Sequence, residues 1–177
     1  MRVLKFAILG LLNQQKMTGY ELMKQFESTL CEFWSAKHSQ IYPELKKLTD
    51  EGCLEYEVEI SGTSLEKKIY SITKKGKDEF LVWLHSETIL EATPKDISRL
   101  KIFFSSSLSQ MNEFYYLKDQ KRQHKERLEH LKNNQKKFTK IPASDSDEFG
   151  DYLVLKGAIM REQMTIQWLQ ECIELCN

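Results

Sequence analysis

The sequence predicts a mainly α-helical fold with one small β-hairpin, and three observations predict it. Apolar residues recur at three- and four-residue spacing over most of the chain, as in Ile41, Leu45 and Leu48, the period of one helix face. A single stretch switches period: Leu54, Tyr56, Val58 and Ile60 alternate with Glu55, Glu57 and Glu59, the signature of a strand with one buried face. Beyond residue 109 two long helical runs bear apolar seams.

In chain order, residues 3–12 form a first helix that ends near Gln14 to Lys16. "MTGYELMKQFES" follows as a second, with Thr18 as candidate cap and Leu22 and Phe26 on one face. "CEFWSAKH" is a loop or ragged helix. "SQIYPELKKLTDEG" is the third helix, with Ser39 as candidate cap and Pro43 in its first turn, where a missing N–H costs nothing. Gly52 ends it at the position glycine favours. At about 100° per residue, Ser39, Pro43, Lys46 and Asp50 point away from the apolar stripe and Tyr42 sits on the flank.

The strand that follows turns through "SGTS" and returns over residues 65–72 as a hairpin. Three helices and then a hairpin is the order of a winged helix-turn-helix, whose third helix enters a DNA major groove beside the hairpin tip. A fourth helix spans residues 73–85, and Pro94 starts a fifth that runs through Phe104. Ser109 caps a long charged helix to about Phe138, with Met111, Phe114, Tyr115, Leu128 and Leu131 as its seam and His124 and His130 on its exposed side. The last helix spans residues 149–176. Its stripe of Ile159, Ile166, Leu169, Ile173 and Cys176 has coiled-coil spacing, which predicts a dimerisation arm. Expected domains are residues 1–88, winged helix, and 89–177, helical dimerisation.

Composition narrows the function. Lys and Arg number 26 against 26 Asp and Glu, so bulk positive charge is absent and only local patches can serve nucleic acid. Cys31, Cys53, Cys172 and Cys176 lack the paired spacing and nearby histidines of a zinc site, so no metal or cofactor is expected. No GxGxxG, P-loop, HExxH or GxSxG occurs, which argues against an enzyme. "MRVLKFAILGLL" is followed by no cleavage site and reads as a core helix, and no run reaches the roughly 18 apolar residues of a membrane span. The expected location is the cytoplasm.

"TGYEL", "SQIYPELKKLTDEGCL" and "KKIYSITKKGKDEF" resemble, in order and spacing, the winged helix of PadR-type bacterial transcriptional regulators, over roughly residues 3 to 85. The remainder is similar in architecture to the larger members with a helical C-terminal dimerisation domain. The resemblance implies a homodimeric repressor on an inverted-repeat operator in double-stranded DNA, released by a small aromatic or hydrophobic effector. By position, it implies that Tyr20 lies near the phosphate backbone and that Ser39, Gln40, Tyr42, Pro43 and Lys46 form the recognition helix. Thr63 and Ser64 fall at the wing tip, with Lys67 and Lys68 on the returning strand.

The dimer stripe is then Ile159, Ile166, Leu169 and Ile173, and Phe103, Phe104, Tyr115 and Trp168 are candidates to line an effector pocket. The wing departs from the pattern at Glu66, beside its lysines, and at Glu55, Glu57 and Glu59 on the strand before. Those acids keep an alternative open: a winged-helix interaction module that does not read DNA. A MarR-like regulator is a nearer alternative, but its winged domain is flanked by helices on both sides, whereas here the first helix starts almost at the N-terminus.

Overall fold

The computed structural model describes all residues except Met1, Thr29, Cys31, Glu32, Ser35, Gly62, Thr63, Ser64, Glu91 and Asn177, and leaves aside the side chains of Ser61, Leu65, Gln110 and Met111. The chain divides into two compact units, Met1–Ile89 and Leu90–Asn177. In the first, α1 (Val3–Gln14), β1 (Met17–Thr18), α2 (Gly19–Ser28) and α3 (His38–Asp50) precede β2 (Leu54–Ser61), β3 (Leu65–Ile72) and α4 (Lys74–Leu84). In the second, α5 (Ile97–Phe103) and a 3-10 turn at Ser105–Ser107 lead to α6 (Gln110–Gln135) and α7 (Asp147–Leu175).

The first core gathers the apolar face of every helix before the hairpin. Ile8, Leu9 and Leu12 of α1, Leu22 and Phe26 of α2, and Ile41, Leu45 and Leu48 of α3 meet Leu54 and Tyr70 of the sheet. Thr18 caps α2 reciprocally: its Oγ1 accepts from the Glu21 N–H at 3.2 Å, and its own N–H donates to the Glu21 carboxylate at 2.7 Å. Strand β1 is an element the period did not reveal, because two residues cannot show a period. It completes a three-stranded antiparallel sheet in the order β1-β3-β2.

The hairpin register pairs Glu55, Glu57 and Glu59 with Ser71, Ile69 and Lys67, and pairs Leu54, Tyr56 and Val58 with Ile72, Tyr70 and Lys68. Opposed residues share a face. Burial of the expected apolar face fades with distance from the core, from Leu54 at 2% exposed to Ile60 at 72%, because the ribbon projects past the helices.

Two helix starts differ from expectation. α3 begins at His38 after Lys37, so Ser39 is a helical residue and not the cap; the Gln40 side chain instead accepts from the Lys37 N–H at 3.0 Å. Pro43 therefore stands in the second turn, and the carbonyl left without an amide partner is that of Ser39, an exposed residue that water can serve. Likewise α5 starts after Asp96, whose carboxylate accepts from the Arg99 N–H at 3.0 Å, and Pro94 lies outside it.

In the second unit, α6 and α7 pack on one another through Leu128, Leu131, Leu155, Ala158 and Ile159 and, further along, through Leu117, Leu169 and Ile173. Ile159, Leu169 and Ile173 are therefore buried against α6 of the same chain, with Ile166 packed at their edge, and this stripe is not free to meet a second copy. Of the expected α6 seam, Leu128 and Leu131 are buried and Tyr115 is exposed, while the Met111 side chain lies outside the described residues. His124 is not on the exposed side: it is half-buried, with Nδ1 2.5 Å from the carboxylate of buried Glu162. Arg127 Nε reaches the other oxygen of that carboxylate at 3.4 Å, so the charge of Glu162 is paired inside the α6–α7 seam.

Candidate nucleic-acid interface

The outward face of α3 is built as its spacing requires. Burial of Ile41, Leu45 and Leu48 rotates Ser39, Tyr42, Pro43 and Lys46 into solvent. Among the described residues Lys46 forms no ion pair with a carboxylate, so its charge is available to a ligand.

Ionic ties hold α3 from behind. The Arg2 guanidinium lies 2.9 Å from the Glu44 carboxylate and 2.5 Å from that of Glu51, and Lys5 Nζ lies 3.2 Å from Glu51 and 2.6 Å from Glu79 of α4. Hydrogen bonding from Arg2 holds the Glu51 carboxyl at about 2, well below the usual carboxylate range. Burial alone would lower the pKa of Lys5, but its bonds to Glu79 and Glu51 raise it on balance. The start of α1 thus pins the middle and the C-terminal end of the α3 back face.

Beside α3 lies a groove of about 620 Å³ lined by Tyr20, Tyr42, Glu66, Lys67, Lys68 and Tyr70, with the start of α2 at its edge. The structure thus brings Tyr20, Tyr42, Lys67 and Lys68 together. Tyr20 is 55% exposed with Lys24 Nζ 4.7 Å above its ring, and Lys68 Nζ stands 4.2 Å from the Tyr56 ring centre. The pairing of Lys67 with Glu59 and of Lys68 with Val58 roots the two lysines on opposite faces of β3, and both border the groove. Burial pushes the Tyr70 phenol up. Thr63 and Ser64 lie outside the described residues.

The arm aromatics are not gathered in the same way. Phe103 and Phe104 meet edge to face at 5.0 Å and are exposed, as is Tyr115, while half-buried Trp168 packs on the Leu117–Leu169–Ile173 cluster with the Arg99 guanidinium 5.7 Å over its ring. An apolar cavity that sequence spacing did not reveal lies in the first unit, about 300 Å³, walled by Phe6, Leu30, Phe33, Trp34, Phe80 and Trp83. Its wall includes Phe6 stacked on Trp83 at 4.8 Å. The contributing residues come from three segments, each of which alone reads as ordinary core. Among the described residues no group of three or more His, Cys, Asp or Glu side chains could hold a metal ion, and no helix is long and apolar enough to cross a membrane.

Residues 8–81 match the transcriptional regulator PadR-like family, and residues 94–177 match the virulence activator alpha C-terminal family. Over its full length the chain is 44% identical to the negative transcriptional regulator PadR of Bacillus subtilis, covering 99% of that protein. The chain belongs to the PadR-like family of transcriptional regulators. The crystal structure of Bacillus subtilis PadR in complex with operator DNA superposes with a TM-score of 0.93 at 43% identity, covering 99% of this chain and 100% of that one. The same protein in complex with p-coumaric acid gives 0.89 at 40% identity, covering 99% of each. The mainly helical fold with a small antiparallel sheet and the PadR-like assignment read from the sequence agree with these findings.

Proposed function

We propose that this PadR-like regulator acts in the cytoplasm, by binding and not by catalysis, as a homodimeric repressor on an inverted-repeat operator, and that a small aromatic effector releases it. The observation that carries the DNA reading is the α3 face: Ser39, Tyr42, Pro43 and Lys46 are exposed on a helix whose other face is wholly in the core. Support comes from the relative crystallised with operator DNA. Helix α3 enters the major groove, Gln40 and Lys46 meet base edges or phosphates, and Tyr20 stands by the backbone with Lys67 or Lys68. Among the described residues Gln40 uses only its oxygen, in the cap, which leaves its NH2 for this role.

Dimerisation uses the outer face of α7. Leu153, Met160 and Met164 are 50%, 59% and 72% exposed and share one side of the helix with Leu175, opposite the side buried on α6. Such a row of exposed apolar side chains on a charged arm suits a second copy. The effector is received by Phe103, Phe104, Tyr115 and Trp168, which it would draw together, with Arg99 exchanging its Asp96 partner, 3.3 Å away, for a carboxylate such as that of the p-coumaric acid bound by the relative.

The test is a gel shift of the purified chain on the DNA upstream of its own gene, beside scrambled DNA, with and without p-coumaric acid. A specific shift reversed by the acid is expected. No shift on any DNA at low salt would refute the reading and favour the interaction module, for which the exposed Glu55, Glu57 and Glu59 face speaks.

A further inference from the structure

A methyl group placed on Gly19 would stand 2.8 Å from Cε1 of Tyr42, 3.1 Å from Cζ and 3.2 Å from the hydroxyl oxygen. The Tyr42 phenol therefore rests against the bare α-carbon at the start of α2. The His38 ring also lies beside it, 4.8 Å away between centroids and tilted by 45°. Two contacts from two helices thus fix a side chain that is 42% exposed at the rim of the groove. Torsion does not demand glycine at 19, because among the described residues the positive φ belongs to Gly52 alone. Space does.

Which partner would yield is also legible. Thr18 is held in register opposite Ile69 and bonded reciprocally to Glu21, so the backbone at Gly19 is pinned on both sides. Tyr42 is partly in solvent, with room to swing outward about its side-chain bonds once its seat is filled. A side chain at 19 would displace the tyrosine and leave the helix start where it is.

We infer that Gly19 is a positioning residue for DNA recognition: its missing side chain is the seat that holds the Tyr42 phenol in its binding pose, without Gly19 itself discriminating any base. This rests on the DNA reading of α3 proposed above. The experiment compares the parent chain, Gly19→Ala, Tyr42→Ala and the double variant by fluorescence anisotropy on the upstream DNA and on scrambled DNA. Thermal unfolding of each variant is followed alongside, together with the nuclear Overhauser contact between the Gly19 α-protons and the Tyr42 ring in the parent.

Gly19→Ala is expected to lose about ten-fold in affinity for the specific DNA while scrambled-DNA affinity and the unfolding midpoint hold. The double variant is expected to bind no worse than Tyr42→Ala, since the alanine at 19 then has nothing to displace. Parent-like specific binding by Gly19→Ala, an equal loss on both DNAs, or losses that multiply in the double variant would each overturn the inference while leaving the DNA reading intact. If the parent shows the Overhauser contact yet binds no DNA, the DNA reading itself falls and the inference falls with it.

Discussion

Replacing Glu51 by glutamine removes the charge on which Arg2 and Lys5 converge, and its cost follows from the local electrostatics. With the carboxyl held at about 2 instead of 4.5, full transmission to folding would be worth roughly 3 kcal/mol at neutral pH. The Glu51 and Arg2 side chains are 30% and 35% exposed, so solvent screening reduces this to about 1–2 kcal/mol. For a unit of this size that is roughly 5–10 °C in unfolding midpoint. The sign is fixed by the direction of the shift. A depressed carboxyl stabilises the fold above its unfolded pKa, and that stabilisation is lost as pH falls from about 4.5 towards about 2.

Fluorescence in a Trp168→Phe background reports the first unit alone, because the remaining tryptophans are Trp34 and Trp83. Thermal unfolding followed in this way should separate Glu51→Gln from its parent at pH 7, and the gap should close in acid. A gap of zero at pH 7, or one that stays constant down to pH 3, would refute the clamp.

Lys46→Ala should weaken operator binding by about 1–3 kcal/mol with specificity relaxed if it meets a base, or uniformly with a salt slope shallower by about one if it meets a phosphate, as anisotropy at several salt concentrations would show. Met160→Lys on the outer side of α7 should convert dimer to monomer in sedimentation, whereas Leu169→Ala on the inner side should cost about 2–5 kcal/mol of stability instead. Quenching of tryptophan fluorescence by p-coumaric acid should vanish in Trp168→Phe. Quenching that survives there but disappears in Trp83→Phe would locate the effector in the cavity of the first unit. The slope of log affinity against log salt for the dimer should be near −4 to −5, from about two or three phosphate contacts per protomer.

The helices and the hairpin were legible because burial imposes periods of 3.6 and 2 that survive in the residues: Ile41–Leu45–Leu48 and Leu54–Tyr56–Val58 read directly. What failed were features set by a single neighbour. The α3 cap comes from the Gln40 side chain reaching back to Lys37, which no Ser, Thr, Asp or Asn announces. The α7 stripe was read correctly as an apolar face, but spacing cannot say whether its partner is another copy or the preceding helix, and here it is α6. At the candidate site the outward set of α3 followed from the period alone. The Gly19 seat and the Glu162–His124 pair did not, because each joins residues distant in sequence.

A formally neutral chain can serve DNA only if its charges are sorted in space, and the first unit sorts them. It holds twelve Lys and Arg against thirteen Asp and Glu, so its average field attracts nothing. Yet Arg2 and Lys5 are spent on Glu44, Glu51 and Glu79 behind α3, and Lys16 lies 3.1 Å from Glu57 on the acidic face of the hairpin. Glu44 and Glu51 are thereby neutralised from the back of α3, while Lys46 projects from its outward face and Glu66 stands in the groove beside it. The register of the hairpin keeps Glu55, Glu57 and Glu59 on the sheet face opposite Tyr56 and Tyr70, and Tyr70 lines the groove beside Tyr42. Weak general attraction joined to a rigidly held α3 favours an operator that fits over DNA at large, since a protein with few phosphate contacts gains little from a duplex it cannot read.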